Sequence, residues 1–226
     1  MALEQLDVAK SIGVCPLGMI WLALQENDEW HSKITNQIDT IEQKIKCNNT
    51  LGIKFNNLPR CIYDYQQDHE SCDIHAVDKA IKCLGCNLSC GQILYHGGQL
   101  KFDCDSSKVI LKSPLSTTLD PYVARVEALW YGKAYKANAL VINLLTIKSP
   151  KTQAYPLFLI QGDISLDGAE NDVNLRHEYE IILCSGIKLQ RTHTITLGQY
   201  KVVDCGEHIG ATKMVDGIAV FWDVWT

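Results

Sequence analysis

Asp120-Pro-Tyr-Val-Ala-Arg-Val-Glu-Ala-Leu-Trp130 is the stretch whose reading decides the fold. Tyr122, Ala124, Val126 and Ala128 alternate with Val123, Arg125, Glu127 and Leu129, and this period of two predicts a strand closed by Trp130 and Tyr131. Just before it, Lys108-Val-Ile-Leu-Lys112 predicts a short strand. Beyond it, strands are predicted at 139–147, 156–160, 179–184, 197–203 and 218–224. Gly162-Asp163, Asp167-Gly168 and Asp216-Gly217 supply turn residues between them. Short strands at this spacing predict an antiparallel barrel or curved sheet, not a parallel α/β fold.

Upstream the period changes. Pro16 suits a first helical position, with Leu17, Ile20, Trp21 and Leu24 on one face. Asn27 or Asp28 can cap a second helix in which Trp30, Ile34, Ile38, Ile41 and Ile45 form one apolar stripe. The expected class is therefore α+β. A helical, cysteine-rich unit over 1–91 precedes a β unit over 92–226.

The chain has 226 residues and a net charge of −5. Residues 1–91 hold 8 Lys+Arg against 12 Asp+Glu, or −4, and residues 92–226 hold 13 against 14, or −1. Neither half is basic, which argues against direct DNA binding through phosphate neutralisation. No apolar window is long enough for a membrane span, and Met1-Ala-Leu-Glu-Gln-Leu-Asp7 lacks the basic start of a secretory signal. An intracellular setting is expected.

Six of the ten cysteines (Cys61, Cys72, Cys83, Cys86, Cys90 and Cys104) fall within 44 residues. Clustered thiols in a reducing compartment point to metal ligation. Cys72-x-x-His75 and Cys83-x-x-Cys86 form two ligand pairs suited to one tetrahedral structural zinc. A competing set is Cys83, Cys86 and Cys90 with His96 or Cys104. Reduced, buried cysteines without a metal are the plain alternative. Cys15 or Cys184 with a histidine could make a thiol nucleophile, but no nucleophile elbow, Gly-x-Gly-x-x-Gly or Walker loop accompanies them. No enzymatic activity is expected, and a zinc-containing nucleic-acid-binding or scaffold protein is the alternative.

Several segments, in order, resemble the bromo-adjacent homology (BAH) domain of chromatin proteins over residues 92–226. Tyr95-His-Gly-Gly98 is similar to the opening loop of that family, Lys108–Lys112 to its first core strand, and Tyr122–Trp130 to its "pro-tyrosine-val-ala-arg" strand. Residues 141–150, 179–185, 193–203 and 218–225 follow in the family's order. The resemblance implies a BAH-like β-barrel, a nuclear location and a non-enzymatic role docking onto a histone tail or a chromatin-complex protein. It also implies that Tyr122 is the first tyrosine of a methyl-lysine cage, held by cation–π attraction. The other cage positions fall on Thr146, Ile147 and Lys148, which cannot supply aromatic faces. Trp130, Tyr131 and Tyr155, with Tyr135, are the candidates to complete a partner-binding surface around Tyr122.

Overall fold

The computed structural model describes residues 2–3, 7–48, 58–100, 107–159, 178–205 and 209–226. The N-terminal part is helical, with α1 at Val8–Ser11, α2 at Pro16–Leu24 and α3 at Asp28–Asn48. Pro16 occupies the start of α2, and Asn27 Oδ1 caps α3 by accepting from Trp30 N at 3.1 Å. Ile34 and Ile38 of the apolar stripe are fully buried, and Ile41 packs against the same core. Two further helices follow, α4 at Arg60–Gln67 and α5 at Ile74–Leu84. Asp73 caps α5, accepting from the backbone of His75 and Ala76.

Ten strands make up the sheet among the described residues: β1 (Ala2–Leu3), β2 (Cys86–Leu88), β3 (Ile93–Gly97), β4 (Lys108–Ile110), β5 (Leu115–Thr118), β6 (Ala139–Ile147), β7 (Gln153–Pro156), β8 (Glu180–Leu183), β9 (Lys188–Val203) and β10 (Thr212–Trp225). Their order is β1-β2-β7-β8-β5-β3-β6-β10-β9-β4. Two ends are open, and β10 runs parallel to β6 while most other neighbours are antiparallel. The expected closed antiparallel barrel is thus corrected to an open mixed sheet in an α+β fold. The turns expected at Gly162-Asp163 and Asp167-Gly168, together with Cys104, lie outside the described residues.

The second correction falls on the deciding stretch. Pro121–Leu129 is a helix, α6, and not a strand. Asp120 is its N-cap, accepting from Tyr122 N at 2.8 Å, and Pro121 fills the first turn. Capping chemistry therefore wins over the period-two pattern. The buried positions Pro121, Ala124 and Ala128 share one helical face, while Val126 is 48% exposed. That face sits directly on β3. A Cβ on Gly97 would lie 1.9 Å from the Ala124 carbonyl oxygen, so only glycine allows this approach. After α6 the chain kinks through Tyr131 (φ 50°) and Gly132 (φ 70°) into α7, Lys133–Ala137.

Strand β6 is buried on both faces. Leu140, Ile142 and Leu144 pack with Ala124, Ala128 and Ala134, whereas Leu145 and Ile147 join the larger hydrophobic cluster. That larger cluster draws Ile34, Ile38, Ile62 and Ile81 together with Leu94 and Ile181–Leu183, from both sides of residue 91.

Candidate active site

Strands β8, β5 and β3 lie side by side, and their polar residues converge. β8 is buried along its whole length, yet its first residue is Glu180, only 5% exposed. A carboxylate there needs partners. Ser116 Oγ of β5 donates to Glu180 Oε1 at 2.5 Å, and Gln66 Nε2 of α4 donates to Oε2 at 2.5 Å. Each oxygen thus has its own donor.

The neighbouring hydroxyls fix the frame. Thr117 Oγ1 donates to the Ile181 carbonyl at 2.5 Å, and Thr118 Oγ1 donates to the Glu178 carbonyl at 2.6 Å. In the β5–β8 register Thr118 stands opposite Glu180, so Ser116 reaches the carboxylate diagonally. Thr118 Oγ1 also accepts from Asp120 N at 3.1 Å, tying the start of α6 to the same strand end.

On the other side of β5, His96 Nδ1 lies 2.8 Å from the Ser116 carbonyl oxygen. A carbonyl only accepts, so Nδ1 carries the proton of a neutral ring and Nε2 keeps its lone pair. Burial pushes the imidazole down to about 4, with Lys133 adding to the effect and the Ser116 bond opposing it. The ring is neutral near pH 7. Asn143 secures this strand end from β6, donating to the His96 carbonyl at 3.2 Å and the Gly98 carbonyl at 2.7 Å while accepting from Trp222 Nε1 at 2.9 Å.

Burial pushes the Glu180 carboxyl up to about 7 against the opposing hydrogen bonds from Ser116 and Gln66, and the charges of Glu178 and Glu127 push it further the same way. Glu178 is itself exposed at the edge of the cluster. Desolvation by the surrounding protein and the Glu127 charge raise its carboxyl as well. Lys133 Nζ lies 3.6 Å from Glu127 Oε2, adding a cation to the rim. The result is one buried and one exposed carboxylate two residues apart, beside a neutral imidazole.

Of the residues singled out from sequence, His96, named there only as a possible metal ligand, stands in this cluster; the others lie elsewhere. Tyr122 is 7% exposed, stacks on His31 at 4.4 Å and donates to the Asn27 carbonyl at 2.8 Å. Trp130 and Tyr131 are exposed and meet edge to face at 5.4 Å, and the eight-residue step from Tyr122 to Trp130 is about 12 Å of helix rise. Tyr155 is 1% exposed on β7, leaving no ring face for a ligand. Tyr135 receives Lys213 Nζ at 4.4 Å. Cys72 and His75 stand at the start of α5 and Cys83 and Cys86 at its end. The helix holds the two pairs about 12 Å apart at its usual rise, and no group of three metal-ligating side chains converges among the described residues.

Sequence reading missed Ser116, Glu178, Glu180 and Gln66. The signal was the Glu178-Tyr-Glu180 pair heading the apolar run Ile181–Leu183, and the hydroxyl run Ser116-Thr-Thr118 before Asp120-Pro121.

No protein-family model matches the chain, and no curated protein matches it. Among solved structures it is similar to the ADP-ribosylating toxin BECa of a binary enterotoxin of C. perfringens, at 14% identity and TM-score 0.39 over 72% of this chain and 42% of that one. It is also similar to the ADP-ribosyltransferase Vis in complex with agmatine, at 10% identity and TM-score 0.40 over 68% of this chain and 56% of that one. Plx2a, an ADP-ribosyltransferase toxin from Paenibacillus larvae, matches at 12% identity and TM-score 0.34 over 90% and 96%. The chain thus spans about half the length of the first two.

These proteins are enzymes, not chromatin modules. The BAH resemblance fails on the fold itself: its key strand is α6 and its barrel is an open sheet. The expected non-enzymatic docking onto a histone tail or chromatin complex had no other footing and falls with it.

Proposed function

We propose that this chain is an enzyme of ribosyl transfer, cleaving the N-glycosidic bond of NAD and passing ADP-ribose to a nucleophilic acceptor. ADP-ribosyl transfer is the activity named for the three proteins above. What supports the reading here is the side-chain set, not the overall likeness. The observation that carries it is Glu180, a buried carboxylate held at both oxygens, with a second carboxylate two residues away at the surface.

Substitution at an anomeric carbon develops positive charge on the sugar ring, and carboxylates are the groups that stabilise and exploit it. A carboxylate fixed in a low-dielectric setting does so strongly, because it needs no reorganisation as the charge appears. In the proposed step the bond from ribose C1′ to the nicotinamide nitrogen breaks, and its electron pair stays on nitrogen. Nicotinamide departs neutral, so no general acid is required. Ionised Glu180 faces the ribosyl cation. The acceptor's lone pair then bonds to C1′, and its proton passes to Glu178, whose carboxyl is made more basic by desolvation and by the Glu127 charge. Neutral His96 offers the Nε2 lone pair to a hydroxyl of the donor.

The test is release of nicotinamide from NAD, with agmatine as a small acceptor. The wild-type chain releases nicotinamide, and Glu180→Gln lowers the rate by about 100-fold or more, the usual scale for losing a preorganised electrostatic group. Wild-type protein that leaves NAD intact with and without acceptor contradicts the proposal.

A further inference from the structure

We infer that Gln66 is a positioning residue for Glu180, so that helix α4 belongs to the working site. The inference rests on the ribosyl-transfer reading for its consequence in catalysis, but its geometry stands independently. Gln66 Nε2 donates to Glu180 Oε2 at 2.5 Å across 114 residues of sequence. Its own Oε1 is buried and has no hydrogen-bond partner among the described residues. An amide with one end buried and unsatisfied is a costly way to fill space. Its retention in this pose is explained if the other end does something a methionine could not.

The helix is anchored so that the contact is firm. Ile62 is fully buried, and Tyr65, one residue before Gln66, donates its hydroxyl to the Pro114 carbonyl at 3.0 Å, just upstream of β5. Ser116 and Gln66 therefore reach the carboxylate from two elements tied to each other. Ser116 binds one oxygen from within the sheet, and Gln66 binds the other from outside it. Together they fix the plane of the carboxylate and favour its ionised form, because both donate to it. Burial and the charges of Glu178 and Glu127 oppose ionisation. Gln66 supplies part of the counterweight.

Two substitutions separate positioning from packing. Gln66→Met keeps length and removes the donor; Gln66→Lys keeps a donor and adds a positive charge. Glu180 must be ionised to work, so activity is lost as pH falls through its pKa. Removing the donor raises that pKa, and the acid limb of kcat moves up by about one pH unit in Gln66→Met. In Gln66→Lys it moves below wild type. KM for NAD stays within about twofold in Gln66→Met, whereas kcat falls about tenfold at pH 7. Acid limbs that stay put in both variants overturn the inference, whatever happens to stability. A second readout needs no turnover: the Glu180 carboxyl carbon, identified by its loss in Glu180→Gln, is titrated by 13C NMR. Its midpoint rises in Gln66→Met and falls in Gln66→Lys if Gln66 acts on it. Unmoved midpoints overturn the inference, while absent NAD cleavage with shifted midpoints sinks the proposed reaction and leaves Gln66 in place.

Discussion

The two ends of β8 each bury a carboxylate, and they treat it oppositely. Past the C-terminal end, Asp78 of α5 accepts from Cys184 Sγ at 3.2 Å, from Ser185 N at 2.9 Å and from the Ser185 hydroxyl. Burial works to raise its carboxyl, but those donors and Lys82 outweigh it and hold Asp78 below the usual range. At the N-terminal end Glu180 has two donors and two acidic neighbours, and burial wins, carrying it up to about 7. The number and charge of surrounding groups decide which carboxylate is settled and which is poised. A settled one clips a helix to a strand. A poised one costs stability and is available for chemistry, as expected of a site under functional demand.

The sharpest way to break this contrast is kinetic. Glu180→Gln loses about 100-fold or more in nicotinamide release, whereas Asp78→Asn keeps turnover within about threefold, since Asp78 touches no reacting atom. Equal losses in the two variants would erase the distinction. Next in size is stability. Asp78→Ala strands the Ser185 amide and hydroxyl and the Cys184 thiol, and should cost about 2–4 kcal/mol in denaturant unfolding at pH 7. A cost under about 0.5 kcal/mol would show that the clip contributes little.

The smallest effect has the opposite sign. Glu180 is raised in the folded state above its unfolded value, so the fold holds the proton more tightly than the unfolded chain does. Its contribution to stability is present below the unfolded value near 4.5 and is lost as pH rises towards 7. Glu180→Gln should therefore stabilise the protein by about 1–3 kcal/mol at pH 8 and by little at pH 4.5. Thermal unfolding at the two pH values checks this; a variant less stable than wild type at pH 8 contradicts it.

Much of the helical half was legible, because the stripe Trp30–Ile34–Ile38–Ile41 has one period and a cap. Strand positions such as 139–147 and 218–224 were legible as short runs rich in β-branched and apolar residues. Residues 120–130 misled because Tyr122–Leu129 satisfies two periods at once, and the alternating reading gave no weight to Asp120-Pro121 as a helix start. That choice removed a helix from the face of β3, and the parallel pairing of β6 with β10, which strand spacing does not encode, is what the antiparallel barrel missed. The cysteine pairs looked like one site because their spacing ignores the length of α5, which separates them. The Glu180 cluster was the least accessible. Ser116 and Glu180 are 64 residues apart, and Gln66 and Glu180 are 114 apart. Only sheet order brings them together, and no local pattern encodes that order.

The pH dependence of NAD cleavage tests the central claim most directly. If a buried, poised Glu180 performs the reaction, kcat for nicotinamide release rises with pH along an acid limb centred near 7, and that limb is missing from the residual activity of Glu180→Gln. A rate that is flat between pH 5 and 8, or an acid limb retained unchanged in Glu180→Gln, contradicts the account.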